Sequence, residues 1–189
     1  EAVSEISPAE YWALPCFASQ DEFIWSDYFQ TMLFGGYGSG KNYAVNRRAA
    51  QLSFWVPDNE GIILRYHESD LDRTTLPQFL TELPDELVAH FDRGRKLLTM
   101  HTKDPNRASR IWFSHVGDPR PGKKHLAGMN LGWMAGDQIE EWEEGLWNDL
   151  IGRFRRPSVP RYFAFGAANP AGHNWMWNRF IRTSEFLPP

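Results

Sequence analysis

Cysteine is almost missing from this sequence. Cys16 is the only one in 189 residues, so no disulfide can form within the chain, and a lone thiol fits a reducing compartment. Long apolar runs are missing too. No stretch approaches the roughly 18 to 20 residues a membrane-spanning helix needs, none reads as a signal peptide, and no membrane contact is expected. Basic charge is not in excess: 20 Lys and Arg stand against 24 Asp and Glu, a net charge of −4. Contact with nucleic acid would therefore have to be local. The six histidines fall at no metal-ligand spacing, and none is assigned a metal. There is no internal repeat and no low-complexity tract.

What is present suits a single α/β domain. The length supports one good core over residues 1–189, and 42% hydrophobic with 23% charged residues is ordinary for a globular chain. Nine Trp and thirteen Phe are many, and aromatic core packing is their expected use. The chain opens on Glu1 and closes on Pro188-Pro189, and both ends read as cut from something longer.

The most informative stretch is Phe29 to Tyr43: a short apolar strand, a glycine-rich turn, a lysine and the opening of a helix. That order is what a phosphate-binding loop needs. Gly35, Gly36, Gly38 and Gly40 are expected to take positive φ and turn backbone N–H groups inward. The helix from Lys41 points its positive end at the same place, and Lys41 adds a mobile cation for the outer phosphates. Gly35 to Asn42, with Tyr37 and Ser39, is thus the candidate nucleotide-contacting set, with an ordinary glycine turn as the competing reading. After Lys41 the usual residue is a hydroxyl that ligates Mg2+; here Asn42 stands there, either as an amide-oxygen ligand or as a helix cap.

In chain order, Pro8 and Pro15 keep the first residues from forming a long helix. Strand 29–34, helix 41–55 and strand 61–65 read as one right-handed βαβ unit. Residues 69–83 read as a helix bent at Pro77. Strands 97–101 and 110–115 pair antiparallel across the turn Asp104-Pro105-Asn106. Residues 117–128 are a loop with Lys123, Lys124 and His125. An apolar strand over 130–137 ends in Asp137, and a helix follows from Gln138, with Ile139, Trp142, Leu146, Leu150 and Phe154 on one face. Strand 161–166, a turn at Asn169-Pro170 and an aromatic helix to Ile181 complete the chain.

An acid closing an apolar strand downstream of a phosphate loop is the second half of a nucleoside-triphosphatase site. Asp137 would hold Mg2+, and Glu140 or Glu141 would orient the attacking water. The competing structural reading pairs Asp137 with Glu140 as a helix cap box. A Cys16 nucleophile with a distant histidine stands against a buried thiol. The basic runs Arg47-Arg48, Arg93 to Lys96, Lys123-Lys124 and Arg153 to Arg156 could touch a phosphate backbone, and each alone also reads as a solvated face. Among these, Arg153 and Arg155 are candidates to reach a neighbouring subunit's nucleotide.

The ordered set of segments resembles one family, the ATPase domain of the large terminase subunit, the DNA-packaging motor of tailed bacteriophages. Ser19 to Phe23 is similar to its glutamine motif, and Leu33 to Lys41 to its phosphate loop. Ile63 to Arg65 followed by Asp70 to Thr74 is similar to its arginine-bearing segment. Asn130 to Glu141 resembles the acidic strand, Leu150 to Arg155 a later arginine segment, and Ala168 to Trp175 the coupling motif.

The resemblance implies a RecA-like, additional-strand P-loop fold that binds ATP and Mg2+ and hydrolyses ATP. Gln20 would contact adenine, Asn169 would sense the γ-phosphate, and Arg65, Arg153 or Arg155 would be the candidate arginine finger. Implied partners are double-stranded DNA, a portal protein, a small terminase subunit and further copies in a ring, within the host cytoplasm. The family's nuclease domain would lie beyond Pro189, so no DNA cleavage is expected from this chain. Asn42, and Gln138 where a glutamate is usual, depart from the family pattern. A helicase-like ATPase or kinase, or a nucleotide-gated module with little hydrolysis, stays open beside this reading.

Overall fold

The computed structural model describes residues 7–117, 126 and 128–182. Helices α1 (Pro8–Ala13) and α2 (Ala18–Ile24) lead into strand β1 (Gln30–Phe34), helix α3 (Lys41–Trp55) and strand β2 (Glu60–Arg65). A short turn α4 (Glu68–Asp70), a wide helical turn over Leu71–Thr75 and α5 (Leu76–Glu82) come next. Strands β3 (Val88–Asp92), β4 (Leu97–His101), β5 (Ala108–His115) and β6 (Trp133–Gly136), helix α6 (Glu144–Ile151) and strand β7 (Phe163–Ala168) follow. Among the described residues no helix is long and apolar enough to cross a membrane.

One seven-stranded sheet runs in the order β1-β7-β6-β2-β5-β4-β3. Strands β1, β7, β6, β2 and β5 are parallel, and β4 and β3 add an antiparallel edge. Parallel sheets must be covered on both faces, and the residues of β2 show it by alternation. Ile63 joins Ala44, Val45, Ala49, Phe79, Trp133 and Phe165 under α2, α3 and α5. Ile62 and Leu64 point the other way, to Met134, Trp142, Trp147 and Leu150. Trp133 and Trp147 are fully buried, as aromatic packing requires, while Phe17, Trp25, Tyr28 and Tyr37 stay exposed.

Several expectations shift. β1 and β2 are parallel and joined by α3, but β7 and β6 lie between them, so they are not neighbours in one βαβ unit. The helix expected from Gln138 is broken. Gln138 takes a left-handed conformation (φ 52, ψ 54), a single 3₁₀ turn spans Ile139–Glu141, and α6 starts only at Glu144. Phe154 lies beyond α6 and stacks on Tyr162 at 5.7 Å. The helix expected over 69–83 is three pieces. Its wide turn at Leu71–Thr75 falls just before Pro77, which has no N–H to donate to the preceding turn. Strand 161–166 lies at Phe163–Ala168 and ends against Asn169. The sequence reading had no β3; its exposed Ala89 and His90 and a bulge between Val88 and His90 hide the alternation. Lys123, Lys124 and His125 lie outside the described residues.

Candidate functional site

Sheet register assembles the site. Phe34 pairs with Ala168, so the loop after β1 leaves the sheet beside Asn169, and the Gly35 N–H donates to the Ala168 carbonyl at 3.3 Å. Leu64 pairs with Gly136, so the next residues, Arg65 and Asp137, also come side by side. All four strand ends are carboxyl ends, where parallel sheets of this kind hold ligands.

The loop itself is held by its own side chains. Gly38 (φ 72) and Gly40 (φ 74) are left-handed, conformations that cost a side-chain-bearing residue. Gly35 and Gly36 are not, contrary to expectation; a Cβ on Gly35 would stand 2.8 Å from the Ser39 Oγ, whose hydroxyl donates to the Gly36 carbonyl at 2.9 Å. No side chain caps α3, which leaves its first-turn N–H groups to the adjoining cleft. Lys41 Nζ donates to the carbonyls of Gly35 and Gly36, both at 2.7 Å, and to Asn169 Oδ1 at 3.1 Å.

Asn169 carries the line onward. Its Nδ2 donates to Glu140 Oε1, and its backbone N–H donates to Glu140 Oε2 at 3.1 Å. Lys41, Asn169 and Glu140 thus form one hydrogen-bonded chain. They line a cleft of about 320 Å3 together with the loop, Asn42, Tyr43, Gln78, Asp137 and Gln138. Glu141 is exposed and outside that lining. Burial first, with Glu140 and Asp70 adding, raises its pKa, while Arg65 and His67 oppose.

Asp137 is buried, and its Oδ2 accepts from Arg65, from Thr75 Oγ1 at 2.9 Å and from Asn42 Nδ2 at 3.3 Å. It therefore caps no helix: the positive φ at Gln138 turns the chain away, and Glu140 is spent on Asn169. Nor does Asn42 cap α3. Its NH2 faces Asp137, which leaves the amide oxygen as a hard donor beside the carboxylate. Hard oxygen donors of this kind are the type magnesium takes.

Arg65 is buried in its ion pair with Asp137, a position inside the sheet that offers no route to a neighbouring subunit. Arg153 and Arg155 lie at the far side. Their segment pairs with Leu131, ahead of the amino end of β6 and opposite the cleft. Gln20 is buried: Nε2 donates to the Ser39 carbonyl and Oε1 accepts from the Phe17 N–H, each at 3.1 Å. Burial and nearby Asp21 push the Cys16 thiol above its usual value, the wrong direction for a nucleophile. The sequence reading missed Thr75, which reaches Asp137 only because a wide turn follows β2, and Gln78 one turn on. A Thr-Thr pair after an acidic turn carries no local signal for either role.

The glycine-rich loop thus opens on a cleft at the carboxyl ends of a P-loop-type sheet whose β7 is inserted between the loop strand and the acid strand. Solved structures show the same fold. The large terminase of a thermophilic bacteriophage superposes with a TM-score of 0.75 at 16% identity, over 89% of this chain and 43% of that one. The ATPase domain of the Thermus phage P74-26 large terminase gives 0.73 at 16% identity, over 96% and 76%. The first of these proteins, in complex with ADP, gives 0.73. The chain thus spans less than half the length of that thermophilic-phage terminase. No protein-family model and no curated protein matches the sequence.

Proposed function

We propose that this chain is the ATP-binding and ATP-hydrolysing motor domain of a viral DNA-packaging terminase, working on double-stranded DNA. The observation that carries the proposal is the hydrogen-bonded chain Lys41–Asn169–Glu140 across the cleft beside Asp137. Its support in fold is the likeness to a terminase ATPase domain and to a large terminase solved in complex with ADP and with ATP-gamma-S.

In this reading the loop N–H groups and the first turn of α3 receive the phosphates, and Lys41 leaves its loop carbonyls for the outer phosphate oxygens. Asn42 and Asp137 are the residues that would hold magnesium, which when bound would supply charge neutralisation at the phosphates. Glu140 orients and polarises the water that attacks the γ-phosphate in line. Asn169, bonded to both Lys41 and Glu140, registers the γ-phosphate and passes its loss to β7. The remaining positive charge comes from a neighbouring copy in a ring, with Arg153 and Arg155 as candidates, and portal and small terminase subunit complete the assembly.

A second reading has its own observation. Arg65 already neutralises Asp137 and Asn42 replaces the usual hydroxyl, which suits a nucleotide-gated module with little turnover. Calorimetry of ATP binding with and without magnesium, beside phosphate release, separates the two. Magnesium-dependent binding that weakens by about tenfold or more in Lys41→Ala is expected, since it loses charge-assisted hydrogen bonds. Phosphate release assigns the motor; tight binding without release, even with DNA and portal, assigns the gated module. Unchanged binding in Lys41→Ala would reject both.

A further inference from the structure

We propose that Thr75 is a positioning residue for the carboxylate that would hold magnesium. Its hydroxyl, with Arg65 and Asn42, occupies one oxygen of Asp137 and turns the other to the cleft. The inference rests on the nucleotide reading above and concerns how that site sets its metal affinity.

Three donors converge on a single atom. Arg65, Thr75 Oγ1 at 2.9 Å and Asn42 Nδ2 at 3.3 Å all donate to Asp137 Oδ2. Among the described residues none donates to Oδ1, and Asp137 lines the cleft. An ionised carboxylate has about four lone-pair sites shared between its two oxygens, so this distribution is one-sided. It fixes the plane of the group and leaves Oδ1 as the oxygen a cation in the cleft would meet. Outer partners of this kind orient metal-ligating carboxylates and tune how tightly they bind.

The direction of the Thr75 hydroxyl is not the local default. A threonine in a helical turn commonly returns its hydroxyl to the carbonyl four residues back. Thr74 does so to Asp70 at 2.6 Å, and Thr81 to Pro77 at 2.9 Å. Thr75 instead reaches a residue 62 positions further along the chain. The wide turn makes the difference. Across it the Leu76 N–H donates to the Leu71 carbonyl, so the turn holds one residue more than an α-helix would and carries Thr75 round to Asp137.

The support beneath Thr75 is firm. On α5, Gln78 donates to one Glu82 oxygen at 2.7 Å, and Asn46 on α3 donates to the other at 2.7 Å. These bonds tie α5 to α3, the helix that carries Lys41 and Asn42. Thr75 therefore stands on the same framework as the cleft residues it serves, as precise positioning requires. Of the three donors it is also the one that separates direction from charge. Arg65 balances a buried negative charge, so its loss disturbs stability too. Asn42 is itself a candidate ligand. Thr75 is neutral and buried, and valine keeps its shape without the hydroxyl.

The test uses the 189-residue chain, titrated calorimetrically with ATP-gamma-S in magnesium and in a chelator. The quantity read is the gain in nucleotide affinity that magnesium brings. Thr75→Val is expected to cut that gain by about tenfold while metal-free affinity stays within about threefold. Thr75→Ser, which keeps the hydroxyl, is expected to retain the gain. A threonine that merely fills the core would move neither quantity, or both together. The proposal is overturned if Thr75→Val keeps the magnesium gain, or if Thr75→Ser loses it as fully as Thr75→Val does. Either result leaves the nucleotide reading standing. Absence of nucleotide binding by the unmutated chain removes that reading itself, and binding with no gain from magnesium removes the magnesium assignment; each takes this proposal with it. Thr75→Ala removes the hydroxyl without setting a methyl group against the carboxylate, and it decides the question in the same way if the valine chain does not fold.

Discussion

Glu140 and Asp137 are two carboxylates a single turn apart with different tasks, and their hydrogen bonds separate them. Glu140 faces the cleft and is held by an amide that also touches Lys41, the arrangement from which the proposed water-orienting role is argued. Replacing it as Glu140→Gln is expected to keep ATP binding within about threefold and to cut phosphate release by about 100-fold or more, the usual scale of general-base loss. Single-turnover phosphate release on both chains reads this. Asp137 lines the same cleft but is buried, and its Oδ2 is shared by Arg65, Thr75 and Asn42. Removing one member of a buried ion pair leaves the other charge without compensation. Arg65→Met should therefore lower the free energy of unfolding by about 3 kcal/mol, measured in urea, and the loss should shrink when Asp137→Asn is added.

At the scale of elements, the loop between β1 and α3 works because its left-handed positions are glycines and its start is anchored to β7. Gly40→Ala meets both a positive φ and the Gln20 amide at 2.7 Å. It should cost about 1 to 3 kcal/mol of stability and lower nucleotide affinity as well. A control at Gly36, where no atom lies within 4 Å of an added Cβ and φ is not positive, should leave stability within about 0.5 kcal/mol. Parallel urea titrations and calorimetry of the two variants check the contrast. These elements were unevenly legible. The strand–loop–helix over 29–55 could be read residue by residue, because periodicity and glycine spacing are local signals. The break after Asp137 could not be read, since Gln138 has no local reason to be left-handed. Only the packing of the 3₁₀ turn against β7 requires it.

For the whole molecule, the seven-stranded order sets the cleft beside the glycine-rich loop at one end of the parallel strands and the Arg153–Arg155 segment at the other. A residue so placed can act on a nucleotide only in another copy. With portal and DNA present, phosphate release per chain should rise with concentration. A chain carrying Arg153→Ala and Arg155→Ala together should lose that rise while binding ATP normally. If release per chain is flat for the unmutated protein, the charge does not come from a neighbour, and the ring reading fails at this point.

The sequence by itself determined the local pattern: a glycine-rich loop closed by a lysine over 35–41, an acid closing a strand at 137, and an Asn-Pro pair ending a strand at 169. Each rests on neighbours a few residues away, where glycine freedom, apolar periodicity and turn propensity act. Only the tertiary structure decided how these meet. Register between β1 and β7 brings Lys41 to Asn169, and register between β2 and β6 buries Arg65 against Asp137, removing it from service between subunits. Packing of α2 on the loop commits Gln20 to Ser39. Such partners are 19 to 128 residues apart, and pairing over that range is settled by which strands share an edge. No local sequence signal carries that information.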